Sequence, residues 1–179
     1  MRIRGFEKVS RDQFIKDYFG KLCTLYRCPM RKDYILEKLE TYHKNILIPR
    51  RATRKSSGYD FVSPFYFTLS PNETVKFPLG IKTYMQEDEE LLLFPRSSIG
   101  FKYKIKIDNT IGKIDSDFYN NSDNEGDIHI SLTNTGDQLW EVKAGDKICQ
   151  GSFYKYLVAD DDCPVTEDRV GGIGSTNER

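Results

Sequence analysis

Asp115 and Asp117 stand one residue apart in Asn109-Thr110-Ile111-Gly112-Lys113-Ile114-Asp115-Ser116-Asp117-Phe118, and a positioned carboxylate is a group that can activate water. On a strand the two would share a face, and the one beside Ile114 would lie partly buried, its proton affinity set by its surroundings. Asp-Ser-Asp is equally suited to an Asx turn, so the local sequence leaves strand and turn open. In Pro95-Arg96-Ser97-Ser98-Ile99-Gly100, an arginine beside two hydroxyls and a glycine suits a phosphate-type oxyanion. Guanidinium gives planar charge-assisted bonds, and small neighbours let backbone N–H groups approach. A loop with a solvated arginine accounts for the same residues.

Three more segments carry chemical residue types. Ala144-Gly145-Asp146-Lys147-Ile148-Cys149-Gln150 reads as a tight turn feeding a strand, with Gln150 either an amide donor to phosphate or an edge residue. Ser57-Gly58-Tyr59-Asp60 follows the basic stretch Arg50-Arg51-Ala52-Thr53-Arg54-Lys55 and sets a carboxylate at a strand start. Arg169-Val170-Gly171-Gly172-Ile173-Gly174-Ser175-Thr176 has closely spaced glycines and hydroxyls able to wrap a phosphate chain. It lacks the preceding strand and following lysine of a Walker loop.

The elements that must position these residues fall into two textures. Ser10 and Gln13 have capping-box spacing, and Phe14, Ile15, Tyr18, Phe19 and Leu22 then recur on one helical face. Ile35, Leu39 and Tyr42 predict a second helix that ends by Asn45, with Pro49 preventing continuation. From Ile46 onward, short runs rich in Val, Ile, Phe and Tyr alternate with Pro, Gly, Asn and Asp turns, which predicts an all-β barrel or sandwich. The strongest strand candidates are 78–80, 91–94, 102–107, 128–132 and 152–158. The organisation expected is a basic helical extension over 1–45, a β domain over 46–158, and an acidic linker with a flexible arm over 159–179.

A chain of 179 residues, 38% hydrophobic and 30% charged, is the size and composition of one soluble globular domain. No apolar run reaches the roughly 18–20 residues of a membrane helix, and the start has no apolar signal core, so the cytoplasm is expected. Cys23, Cys28, Cys149 and Cys163 form no CxxC pair, and with only His43 and His129 as imidazoles a zinc site is disfavoured. The zero net charge hides a basic first third and an acidic remainder. The basic part could dock on the acidic body, steer an anionic substrate or touch nucleic acid; without an aromatic base-reading motif, docking is the leading expectation.

In their order and spacing, the five segments resemble the five motifs of the trimeric deoxyuridine triphosphate diphosphatases (dUTPases), from about residue 46 to the C-terminus. The resemblance implies a mainly β, jelly-roll-like dUTPase barrel that assembles as a homotrimer and hydrolyses dUTP to dUMP and pyrophosphate. It implies that Arg96, Ser97, Ser98 and Gln150 hold the phosphates, that Asn109 and the adjoining backbone of Gly112 and Ile114 read the uracil edge, and that Asp115 is the general base. Phe118 falls where the family usually has a tyrosine packed on deoxyribose, and Arg169, Gly172, Ile173, Gly174, Ser175 and Thr176 belong to an arm that closes over the triphosphate. Mg2+ would be carried chiefly by the triphosphate, with Asp60 an outer-shell or structural carboxylate.

The chain departs from the family pattern at three places: the longer stretch 119–125, Ile173 where a phenylalanine usually covers the uracil, and Leu79 in place of a threonine. Two rivals are a dCTP deaminase of the same fold, whose catalytic glutamate slot is occupied here by Ser131, and a non-catalytic regulatory or binding homologue.

Overall fold

The computed structural model describes residues 2–19, 21 and 32–162. In chain order the elements are β1 (Gly5–Lys8), α1 (Arg11–Tyr18), α2 (Lys32–Asn45), β2 (Arg50–Arg51), β3 (Tyr59–Val62), β4 (Phe67–Leu69), β5 (Thr74–Pro78), β6 (Ile81–Tyr84) and β7 (Glu89–Pro95). They continue with α3 (Ser97–Tyr103), β8 (Ile105–Ile107), β9 (Gly112–Asp115), a single 3-10 turn (Ser116–Phe118), β10 (His129–Asn134), β11 (Trp140–Val142) and β12 (Lys147–Lys155). The architecture is mainly β, as expected.

Four antiparallel sheets are formed, ordered β1-β6, β5-β10-β8, β11-β4 and β2-β3-β12-β7-β9. Strand alternation drives them. In β7 every second side chain, Glu89, Leu91 and Leu93, is buried, and in β10 Ile130, Leu132 and Asn134 point inward while their neighbours are half-exposed. Phe65 organises one end of the core, with Tyr18, Tyr42, Phe67 and Phe77 at ring-centroid distances of 5.0–6.0 Å. Two of those rings come from the helices.

Ser10 caps α1, its Oγ accepting from the Gln13 N–H at 3.1 Å. The second half of the box does not come from Gln13, which donates to Asp17; Glu125 accepts from the Ser10 N–H instead, at 2.9 Å. Phe14, Tyr18, Ile35 and Leu39 are buried in the common core, each stabilising the packed state by about 2 kcal/mol. The helices are thus docked on the β body. Leu22, Cys23 and Cys28 lie outside the described residues.

Several local expectations are corrected. The first 45 residues are not wholly helical: Gly5–Lys8 pairs with β6, Phe6 opposite Thr83, and Phe6 and Val9 are buried. Segment 78–80 is not a strand of its own: Pro78 ends β5, and Leu79 and Gly80 make the turn to β6, where Gly80 has φ +68 and packs directly under Phe14 and Ile46. Lys102 and Tyr103 end α3, and a left-handed Lys104 separates them from β8. β12 begins earlier than expected, at Lys147, and stops at Lys155. Among the described residues no helix is long and apolar enough to cross a membrane.

Candidate active site

The five-stranded sheet collects the chemical segments. Gln150 on β12 lies opposite Asp60 on β3 and opposite Phe94 on β7, so the segments around Asp60, Arg96 and Gln150 occupy one end of three adjacent strands. The contact between Gly58 and Gln150 is close: a Cβ at Gly58 would stand 2.8 Å from Gln150 Oε1, so a side chain there would displace the amide.

Asp60 is buried, 8% exposed, and its two oxygens meet two cations. Arg96 Nε is 3.0 Å from Oδ1 and Lys147 Nζ is 2.7 Å from Oδ2. The carboxylate fixes the guanidinium root while Arg96 remains part-exposed. Lys147 was legible in the sequence only as part of a turn-strand segment; its partnership needs the β3–β12 pairing.

The expected phosphate loop is instead the start of a helix. Arg96 is the N-cap of α3, its carbonyl accepting from Ile99 and Gly100, and Ser97 and Ser98 form the exposed first turn, where N–H groups have no helical acceptor. An arginine, two exposed hydroxyls and first-turn N–H groups thus lie together where β7 passes into α3. That set suits an oxyanion.

Asp115 sits elsewhere on the same sheet. It ends β9 opposite Glu90 of β7, while Gly112 lies opposite Leu93. The backbone then enters the 3-10 turn Ser116–Phe118, so the turn prevails over the strand and Asp117 is exposed while Asp115 is half-exposed. Lys113 Nζ bonds Glu90 at 3.0 Å and approaches Asp115 at 3.8 Å. Opposition to Glu90 puts Asp115 six residues from Arg96 along β7, about 20 Å at strand rise. Asp115 and Arg96 of one chain are therefore not brought together.

Asn109 is exposed in the β8–β9 connection, where Ile111 N–H donates to the Asn109 carbonyl at 2.7 Å and Thr110 has φ 66. Ile114 is half-buried in β9, and Phe118 is only 5% exposed, its ring largely covered by its own chain. Cys149 is buried and burial pushes its thiol pKa up, which leaves it inert. Arg169, Gly172, Ile173, Gly174, Ser175, Thr176 and Cys163 lie outside the described residues.

For a divalent cation, no cluster of three His, Cys, Asp or Glu is found among the described residues. Asp60 is already engaged by Arg96 and Lys147, which fits a structural carboxylate better than a metal ligand. The guanidinium, hydroxyl and N–H donors fit phosphate oxygens.

The dUTPase family profile matches residues 44–177. The deoxyuridine 5'-triphosphate nucleotidohydrolase of Lactococcus lactis subsp. lactis (strain IL1403) is 40% identical over 139 residues, covering 76% of this chain and 93% of that one. The Helicobacter pylori (strain P12) protein of the same name is 29% identical over 143 residues, covering 78% and 94%. Among solved structures, the dUTPase from Streptococcus mutans superposes with a TM-score of 0.59 at 39% identity, over 65% of this chain and 91% of that one. The dUTPase from phage phi11 of S. aureus, at 20% identity and a TM-score of 0.57 over 69% and 92%, shares the fold. The sheet is thus the jelly-roll scaffold of these neighbours, and a profile that takes in all five chemical segments, joined to 40% identity across nearly the whole lactococcal protein, makes this chain a member of the dUTPase family.

Proposed function

We propose that the chain hydrolyses dUTP to dUMP and pyrophosphate, acting on the Mg2+ complex of the nucleotide in sites shared between subunits of a homotrimer. The observation that carries the shared site is the β7 register: Asp115 and Arg96 are about 20 Å apart within one chain, too far to act on one triphosphate. A base from one subunit and a phosphate-binding end from another complete the site.

In that site Asp115 accepts a proton from water as the water oxygen bonds to the α-phosphorus, and the bond to the bridging α–β oxygen breaks to release pyrophosphate. Arg96, Ser97, Ser98 and Gln150 meet the charge on the phosphate oxygens, and a magnesium ion brought by the triphosphate would neutralise part of it. Asn109, Gly112 and Ile114 present the β8–β9 connection to the nucleobase, and Phe118 bounds the sugar. Arg169 and the segment Gly172, Ile173, Gly174, Ser175, Thr176 close over the triphosphate, and Asp60 holds Arg96 in place. The setting proposed is the cytoplasm, with no nucleic-acid partner. Deamination is disfavoured because Ser131 stands at the slot of the catalytic glutamate and donates to Asp108.

The test is a panel of dUTP, dCTP, dTTP and UTP with Mg2+, read by pyrophosphate and ammonia release. Pyrophosphate from dUTP alone is expected. Comparable turnover of UTP, or ammonia from dCTP, overturns the proposal.

A further inference from the structure

The N-terminal segment, which lies before the family match at 44–177, and the longer stretch 119–125 meet beside the turn that carries Asp115 and Phe118. Residues 119–125 close into a loop built on two buried asparagines. Asn121 Nδ2 donates to the Phe118 carbonyl at 2.8 Å and to Asn124 Oδ1 at 2.9 Å, while Asn121 Oδ1 accepts from the backbone of Asp123 and Asn124 at 3.1 Å each. Asn124 Oδ1 accepts from Gly126 N–H at 3.1 Å. Gly126, at φ +82, lies so near the end of the 3-10 turn that a Cβ would stand 2.5 Å from the Phe118 carbonyl oxygen. The loop therefore fixes the chain at Phe118.

The outer side of this loop is held by Glu7, Ser10 and Lys16, which precede the family match, together with Lys82 of β6. Tyr119 Oη donates to Glu7 Oε2 at 2.7 Å. Glu125 accepts from Ser10 Oγ at 2.6 Å and from Ser10 N–H at 2.9 Å, completing the cap of α1 from far along the sequence. Lys16 Nζ donates to the Asp123 carbonyl at 2.9 Å, and Lys82 Nζ to Asn120 Oδ1 at 2.6 Å. The hydrogen bond from Tyr119 is the main cause that holds the Glu7 carboxyl below its ordinary pKa, so Glu7 stays an ionised acceptor at neutral pH. On the other flank, Arg4 grips buried Glu89 of β7, the residue beside Glu90, which faces Asp115.

We infer that the N-terminal segment is a positioning element for the reaction: Arg4, Glu7 and Ser10 hold, through Glu89, Tyr119 and Glu125, the short turn that carries Asp115 and Phe118. The inference rests on the proposed dUTP reaction for its kinetic consequence, and on the hydrogen bonds alone for its structural one. A base must be held within a fraction of an ångström to act, and misplacement by about 1 Å from a distant change costs up to roughly a hundredfold. None of these residues touches the reacting atoms; they act through the turn.

The experiment compares full-length wild type with Glu125→Ala, Glu125→Gln, Tyr119→Phe and, as a control, Arg11→Ala, which breaks the surface pairs of Arg11 with Asp12 and Glu40, away from the 119–125 loop. Steady-state kinetics with Mg2+·dUTP and Mg2+·UTP, and hydrogen exchange of the peptide spanning 115–118, are measured at a temperature where circular dichroism shows every variant folded. Expected are a fall of about tenfold in kcat for Glu125→Ala with a smaller change in KM, a reduced preference for dUTP over UTP, and faster exchange at 116–118. Glu125→Gln, which keeps an acceptor for Ser10, recovers most of the loss; Tyr119→Phe shows a smaller effect of the same kind, and Arg11→Ala none. Wild-type kcat, selectivity and exchange in Glu125→Ala and Tyr119→Phe overturn the inference. So does an equal effect in Arg11→Ala, which would reduce it to general stability. Altered exchange in an enzyme that never turned over dUTP would sustain the structural link and refute the proposed reaction instead.

Discussion

Asp115 lies opposite Glu90 on β7, and Arg96 follows on the same strand line about 20 Å away. One rigid sheet therefore carries the proposed base at one end and the proposed phosphate arginine at the other. In the proposed trimer a single subunit would hold halves of two sites.

Mixing Asp115→Asn subunits with Arg96→Ala subunits, after joint unfolding and refolding, should give activity above either parent, because some mixed assemblies pair an intact base with an intact arginine. Pyrophosphate release and analytical ultracentrifugation of the mixture check this. Activity in a monomeric species, or a mixture never exceeding its parents, contradicts the shared site.

Asp115→Asn should lower kcat by roughly 10²–10⁴ while leaving binding of a non-hydrolysable dUTP analogue close to normal, since the amide keeps the shape but accepts no proton. Single-turnover rates and calorimetric binding separate the two effects. Near-normal kcat would shift attention to exposed Asp117.

Asp60→Asn should raise KM for dUTP by about tenfold with little change in kcat, since Arg96 loses the partner that orients it. It should also cost about 2 kcal/mol of stability. That is less than the roughly 3–5 kcal/mol of a fully buried pair, because Lys147 is 42% exposed and water compensates it. Kinetics and urea melts check this together; an unchanged KM would show that Asp60 serves folding only.

Asp127 is fully buried, with Oδ1 accepting from Gly80 N–H at 2.8 Å, while its Oδ2 and the Oδ2 of Asp17 are buried without a hydrogen-bond partner among the described residues. Burial first, then the Asp17 charge, raises its pKa well above the carboxylate range. A raised folded pKa means the folded state holds the proton longer than the unfolded one, so stability is lost as pH rises above the ordinary carboxylate value. Asp127→Asn keeps the acceptor for Gly80 and offers an N–H to Asp17. Its Tm advantage over wild type should grow between pH 5 and pH 9; a constant difference would contradict the pair. His129 acts oppositely: burial lowers its pKa from 6.5 to about 4, so its contribution is lost as pH falls through that window, and His129→Gln should flatten the acid side of the Tm profile.

How much of this was legible in the sequence followed the range of the interaction involved. The Ser10 cap and the apolar faces of α1 and α2 were readable because capping and helical periodicity span only three or four residues. The apolar run 91–94 announced β7, since a strand buried on alternate positions needs no knowledge of its partner. The order of the five chemical segments was equally plain, and with it the family.

Tertiary structure decided what depended on distant partners. Gly5–Lys8, with two charged residues and little apolar alternation, becomes a strand only because β6 supplies its ladder. The Asp-Ser-Asp choice between strand and turn was settled where β9 ends its pairing at Glu90. That Asp60 anchors Arg96, that Asp115 stands far from it, and that Glu125 finishes a helix cap begun at Ser10 follow from strand registers and from hydrogen bonds between residues far apart in the chain. A sequence specifies residue types and local periodicity directly, whereas these pairings are fixed only when buried faces from the whole chain pack into one core and leave each polar group its particular neighbour.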